Sequence, residues 1–164
     1  MSGMHLAQLN VAHMRAPKES AVMAEFVAAL APINALADTA PGFVWRLKGG
    51  EEPDATVTHA FGDHLLINYS VWEDRESLWN FVYRSGHLPV LQRRREWFHR
   101  VAEPYSVMWW VEEGVPPSLD EGMARLERLR AEGPGPQAFT FKEFYEAGAA
   151  MAAASLPAAA EARK

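Results

Sequence analysis

The stretch from Tyr105 to Val111 (YSVMWWV) constrains the fold more than any other part of the chain. As a strand it alternates, with Tyr105, Val107, Trp109 and Val111 on one side and Met108 and Trp110 on the other. Neither side tolerates water, so this strand belongs in a sheet whose two faces are both covered. Leu6 to His13 alternates in the same way and gives a first strand, and Leu65 to Trp72 (LLINYSVW), rich in β-branched and aromatic residues, gives another. Phe43 to Leu47 (FVWRL) follows the Pro41-Gly42 turn signal and ends in the polar run Lys48 to Asp54, which suits a hairpin-like connection.

Helices fall between these strands. From Glu19 to Asp38 the residues Val22, Met23, Phe26, Val27, Leu30, Ile33 and Leu36 form one apolar stripe, which Pro32 is expected to kink or split. Asp74 offers an N-cap to a second helix, Gly86 a left-handed stop, and Pro89 a restart, so a two-part helix broken near His87 is expected. Ser118 and Glu121 make an S-x-x-E capping box for a third helix that ends at Gly133-Pro134. The aromatic strip Phe139, Phe141, Phe144 and Tyr145 is expected to dock on the body. The resulting order is β-α-β-β-α-β with a C-terminal helical extension, an α+β, ferredoxin-like arrangement. Two helices cover one face of such a sheet, so the other face calls for a second copy and a homodimer is expected.

The chain of 164 residues provides one core, which we place at 1–146, followed by an Ala-rich flexible tail at 147–164. With 16 Lys and Arg against 21 Asp and Glu, the net charge of −5 gives no diffuse cationic surface, and no nucleic-acid or membrane partner is expected. Cys is absent, which removes disulfides and thiol nucleophiles. The opening MSGMHLAQLN lacks the features of a signal peptide, and a cytoplasmic location is expected.

The strings LAQLNVAHMRAP, PGFVWRL, LLINYSVWEDRESLWNFVYRSGHLPVLQRRREWF and EGPGPQAFTF, with WWV in the last strand, resemble the family called domain of unknown function 3291 over residues 4–146. That family is similar to the dimeric α+β barrel superfamily, which includes antibiotic-biosynthesis-type and haem-degrading monooxygenases, isomerases and dehydratases. The resemblance implies a dimeric α+β barrel and a small-molecule ligand, and leaves the reaction open. The haem-degrading members use a strand Asn, a helix Trp and a helix His. Asn10 matches the first, whereas the other two positions fall near Phe81 and Leu91, so the resemblance does not imply haem as the cofactor and none is expected.

Gln8, Asn10, Asn68 and Ser70 take alternate positions on two strands that should be central neighbours. They form either the polar floor of a pocket or a mutually satisfied core cluster, since an unpaired buried polar group costs about 1–3 kcal/mol. Asn10 and Asn68 are candidates to polarise a carbonyl or phenolate, with Ser70 beside them. His87, near a helix start, is a candidate general base kept neutral by the helix dipole, or else a cap. Arg46, Trp72 and Phe81 are candidate substrate contacts, and one of Arg93, Arg94 and Arg95 must turn toward the body. His5 and His13 are about 26 Å apart on one strand and cannot share a metal, and His59 and His64 read as solvated loop residues. No nucleotide-binding, zinc-protease or serine-hydrolase motif occurs, and no metal site is expected. Two readings follow: an enzyme acting on an aromatic or polyketide-like substrate by monooxygenation, isomerisation, cyclisation or dehydration, or a dimeric ligand-binding or haem-binding module without turnover.

Overall fold

The computed structural model describes residues 3–47, 56–57, 65–115 and 117–149. The elements run β1 (Met4–His13), a 3₁₀ turn (Ala21–Met23), α1 (Ala24–Asp38), β2 (Phe43–Arg46), β3 (Thr56–Val57) and β4 (Leu65–Trp72), then α2 (Arg75–Arg84), α3 (His87–Gln92), α4 (Arg94–Trp97), β5 (Ser106–Glu112) and α5 (Leu119–Glu132). The sheet order is β2-β4-β1-β5, with β3 also on β4 and every pair antiparallel. This is the split β-α-β arrangement of a ferredoxin-like fold. The two-residue β3 has too short a pattern to be read from sequence.

Alternation along β1 divides the molecule into two layers. Leu6, Ala12 and Met14 face the helices, where Met23, Phe26, Leu30, Trp97 and Phe98 form one cluster and Ala37, Trp72, Leu78 and Met108 another. Ala7, Leu9 and Val11 face the other way, against Ile67, Tyr69, Val107 and Trp109. α5 covers this second face with Leu126 and Leu129, and Ala7, Leu9, Val107 and Trp109 are 0% exposed within one chain. The face for which a second copy was expected is thus filled by the chain's own C-terminal helix.

The start of α5 ties it to the sheet. Ser118 Oγ accepts from the Glu121 amide at 3.1 Å, the forward half of a capping box. The Glu121 carboxylate does not reach back; it accepts from Trp109 Nε1 at 3.0 Å, while Tyr69 Oη donates to the Ser118 carbonyl at 2.9 Å. Gly122 lies so close that a Cβ there would sit 2.7 Å from Leu9 Cδ1 and 2.9 Å from Tyr69 Cε2.

Two helix expectations are corrected. The split expected at Pro32 does not occur: α1 runs as one helix from Ala24 to Asp38, with Phe26 and Leu30 before the proline and Ala37 after it buried. Gly86 is right-handed, with φ of −63°; α2 stops instead at the extended Ser85, whose hydroxyl donates to the Phe81 carbonyl and accepts from the His87 amide at 3.1 Å. The C-terminal aromatic strip does dock. Phe139 exchanges both backbone hydrogen bonds with Met108 on the free edge of β5, Trp110 Nε1 donates to the Tyr145 carbonyl at 2.8 Å, and the Arg75 guanidinium lies over Trp79, Phe141 and Phe144. The segment Ala21–Asp38 is long and apolar enough to cross a membrane by length and composition alone; here it packs Met23, Phe26 and Leu30 on the sheet. The Lys48 to Asp54 connection, His59, His64 and most of the 147–164 tail lie outside the described residues.

Candidate ligand-binding site

The helix-side face of β1 and β4 carries a polar row inside an otherwise apolar layer. The register sets Asn10 opposite Asn68 and Gln8 opposite Ser70 on β4, while on β5 Asn10 faces Ser106. Central strands of one parity therefore bring four polar side chains together. Gln8 is the hub, although Asn10 and Asn68 look more prominent in the sequence. Its Nε2 donates to Asn68 Oδ1 at 2.9 Å and to Ser70 Oγ at 2.7 Å, and its Oε1 accepts from Asn10 Nδ2 at 3.0 Å. Gln8 is 6% exposed, so three partners are what burial demands. Sequence parity alone could have marked it, since it is two residues from Asn10 on the same side.

Above this row lies a cavity of about 870 Å³, bounded by the row, α1, α2, α3 and the segment before β5. That volume is in the range of pockets for small organic ligands. Asn10, Asn68 and Ser70 line it with Phe81 and His87, and apolar wall is supplied by residues such as Leu30, Val90 and Trp97. Asn10 and Asn68 are partly exposed, in contrast to Gln8 beneath them. Ser70 Oγ, which also accepts from Trp72 Nε1 at 2.9 Å, retains its own proton for donation. With Gln8 holding Asn68 by its carbonyl oxygen, the Asn68 amide nitrogen presents two donors, and Asn10 keeps its carbonyl oxygen as an acceptor.

His87 opens α3 and rests against the Phe81 ring, 5.1 Å between centroids. Its Nδ1 lies 3.3 Å from the Val82 carbonyl, which favours the proton on Nδ1 and leaves Nε2 as the acceptor. Burial pushes the imidazole below its ordinary pKa, opposed by the Val82 hydrogen bond. The neutral ring expected from a helix dipole is therefore favoured first by desolvation.

Two sequence candidates stand apart from the cavity. Arg46 pairs with Ser70 and so shares its face of the sheet, but its guanidinium is taken up at the end of α1, where Nε and Nη2 donate to Asp38 at 2.7 and 3.2 Å, and it does not line the cavity. Trp72 is 1% exposed and stacked on Phe81, so it supports the wall from behind. Within the Arg93 to Arg95 run, Arg93 pairs with Glu25 and Glu96, and Arg94 is the member that lines the cavity. Tyr105 and Ser106 also line it, Tyr105 from just before β5 and Ser106 from its first position, although the sequence marks them only as strand residues. Among the described residues no group of three or more His, Asp or Glu could hold a metal ion.

A family model described as domain of unknown function (DUF3291) matches residues 5–155. No curated protein matches the chain. Among solved structures, SnoaB, a cofactor-independent oxygenase from Streptomyces nogalater, is 18% identical with a TM-score of 0.38, over 70% of this chain and 96% of that one. A Nitrosomonas europaea protein described as a candidate antibiotic biosynthesis monooxygenase is 14% identical with a TM-score of 0.42, over 72% of this chain and 97% of that one. At such identities and scores neither likeness bears on the reaction.

Proposed function

This chain belongs to the DUF3291 family, and on that premise we propose that it is a small-molecule enzyme, acting on a flat aromatic or polyketide-like substrate without a tightly bound cofactor. One observation carries the reading: a polar row satisfied from below by Gln8 opens upward into an apolar cavity of ligand size. A cluster that existed only to satisfy itself would not leave Asn10 and Asn68 facing a void. The Asn68 amide nitrogen would donate to a ligand oxygen and stabilise negative charge developing on it, while the Asn10 carbonyl oxygen would accept from a ligand hydroxyl. His87 Nε2 would take the proton from a phenol or an acidic carbon, and the imidazolium would return it to the product. The apolar walls would exclude bulk water and hold the ring system. Isomerisation, cyclisation and dehydration could use this pairing of an oxyanion site with a base directly; monooxygenation would also need dioxygen as the oxidant, with the substrate anion supplying the electrons and the second oxygen atom leaving as water. The proposal includes a cytoplasmic location and a homodimer, the latter using a surface other than the face that α5 covers.

Binding is tested by tryptophan quenching with 2-naphthol, since Trp97 lines the cavity. Turnover is tested with dihydroxynaphthalenes, by oxygen uptake and by absorbance change under nitrogen. Saturable binding that Asn68→Ala weakens, and turnover that His87→Gln removes, are expected. Binding without turnover in any arm would leave the non-catalytic module. A stoichiometric Soret shift on adding hemin would leave the haem-binding form of it.

A further inference from the structure

Beside the cavity, and separated from it only by Arg94, Phe98, Val101 and Tyr105, lies a second cleft of about 370 Å³. Its other walls are Arg15, Arg95, Arg100 and His99, and no Asp or Glu lines it among the described residues. Four arginines thus line one cleft in a chain whose net charge is −5. Their neighbours behave differently. Arg93 is neutralised by Glu25 and Glu96, and Arg130 by Glu103 and Glu127. At the cleft Arg15 and Arg94 are held by groups that leave their charge uncompensated. Arg15 Nε donates to the Arg95 carbonyl at 2.9 Å, and Arg94 stacks over Tyr105, 4.2 Å from the ring centroid. The backbone beneath is fixed too, since the Arg15 amide donates to the Trp97 carbonyl at 2.8 Å and the His99 amide to the His13 carbonyl at 2.9 Å. Like charges kept together without a counterion cost free energy, and an oxyanion would remove that cost.

We infer that this cleft is an oxyanion subsite, and that the physiological ligand is an aromatic compound bearing a carboxylate or phosphate group that lies against Arg15, Arg94, Arg95 and Arg100 while its ring system fills the cavity. The inference deepens the proposed function and rests on the cavity being the ligand site. Guanidinium groups bind either oxyanion through paired, charge-assisted hydrogen bonds. Arg94 reaches both spaces and marks where the ligand would cross.

The test compares 2-naphthol, 2-naphthoate and 2-naphthyl phosphate by tryptophan quenching, on the wild type and on Arg95→Ala/Arg100→Ala. Both substituted side chains are exposed, and the Arg95 carbonyl that holds Arg15 is untouched. At low salt at least one anionic ligand should bind about tenfold or more tighter than 2-naphthol, and which one does so identifies the group; the advantage should shrink at about 0.5 M salt. In the double variant 2-naphthol should bind unchanged while the anionic advantage falls below about threefold. Equal affinities in the wild type, or an undiminished advantage in the variant, overturn the subsite and leave the cavity reading standing. Inorganic phosphate followed by phosphorus NMR probes the cleft without the cavity. If no aromatic ligand binds, the cavity reading fails; line broadening by the wild type and not by the variant then keeps the oxyanion site, and its absence overturns that as well.

Discussion

Gln8 and Asn68 differ in what they do for the fold, although they share a hydrogen bond. Gln8 is buried and satisfies three neighbours, so Gln8→Leu should destabilise the protein by about 1–3 kcal/mol, read from chemical denaturation. Asn68 faces the cavity, and after Asn68→Ala the Gln8 amide still has Ser70; this change should cost under about 1 kcal/mol and weaken ligand binding about tenfold or more. The reverse ranking in a denaturation and binding series would place Asn68 in the core. His87 supplies a second test at this scale. Its folded pKa lies below the ordinary 6.5, so the native state disfavours the proton that the unfolded chain accepts. Its contribution to stability is complete above about pH 6.5 and is lost as pH falls from there through the folded value. His87→Gln should flatten the fall in melting temperature between about pH 7 and 5, and activity in the wild type should persist through pH 6.5 and decline below it. An unchanged stability profile in the variant would place the acid sensitivity elsewhere.

α5 decides at the scale of elements how the sheet is closed. Its approach depends on Gly122, where an added methyl would meet Leu9 and Tyr69, both nearly inaccessible. The Tyr69 ring cannot swing away cheaply, held as it is by its bond to the Ser118 carbonyl and by Trp45 and Trp109. Alanine gains about 1 kcal/mol of helix propensity over glycine, whereas overpacking here should cost more. Gly122→Ala is expected to lower stability by about 1–2 kcal/mol net, measured by denaturant unfolding; a stabilised variant would show that α5 can ride up from the sheet at no cost. The same contact raises the Tyr69 phenol far above its ordinary pKa, through burial first and the Glu121 carboxylate second, so this hydroxyl serves as a neutral donor to the fold.

The whole molecule buries its main sheet within one chain. Apolar residues on β5 therefore no longer require a partner, and the proposed homodimer becomes a direct question for light scattering: a mass of about 37 kDa, twice the 18.3 kDa of one chain, is expected, and a mass of one chain at micromolar concentration would refute it. Removal of residues 147–164 should leave the domain folded. Glu146 lies just beyond the docked aromatic strip, whose last member, Tyr145, is held through its backbone to Trp110. A fall in melting temperature of more than about 3 °C on truncation would mean that the tail packs on the domain.

Strand parity, capping residues and apolar periodicity are local properties, and the sequence by itself determined what depends on them. The four main strands, the N-caps at Asp74 and Ser118, the docking aromatic strip and the meeting of Asn10 with Asn68 are of this kind. Tertiary structure decided what depends on distance and competition between partners. Arg46 could face a pocket or an acid, and Asp38 at 2.7 Å took it. Proline inside α1 breaks a helix in isolation, yet contacts on both sides of Pro32 hold this one together. The C-terminal helix could lie anywhere its loop reaches, and contacts distant in sequence put it on the open face: the fit of Gly122 against Leu9 and Tyr69, the burial of Leu126 and Leu129, and the hydrogen bonds of Tyr69 to Ser118 and of Trp109 to Glu121. Arg15 is about 80 residues from Arg95 and Arg100, and no local pattern tells that their charges share a cleft.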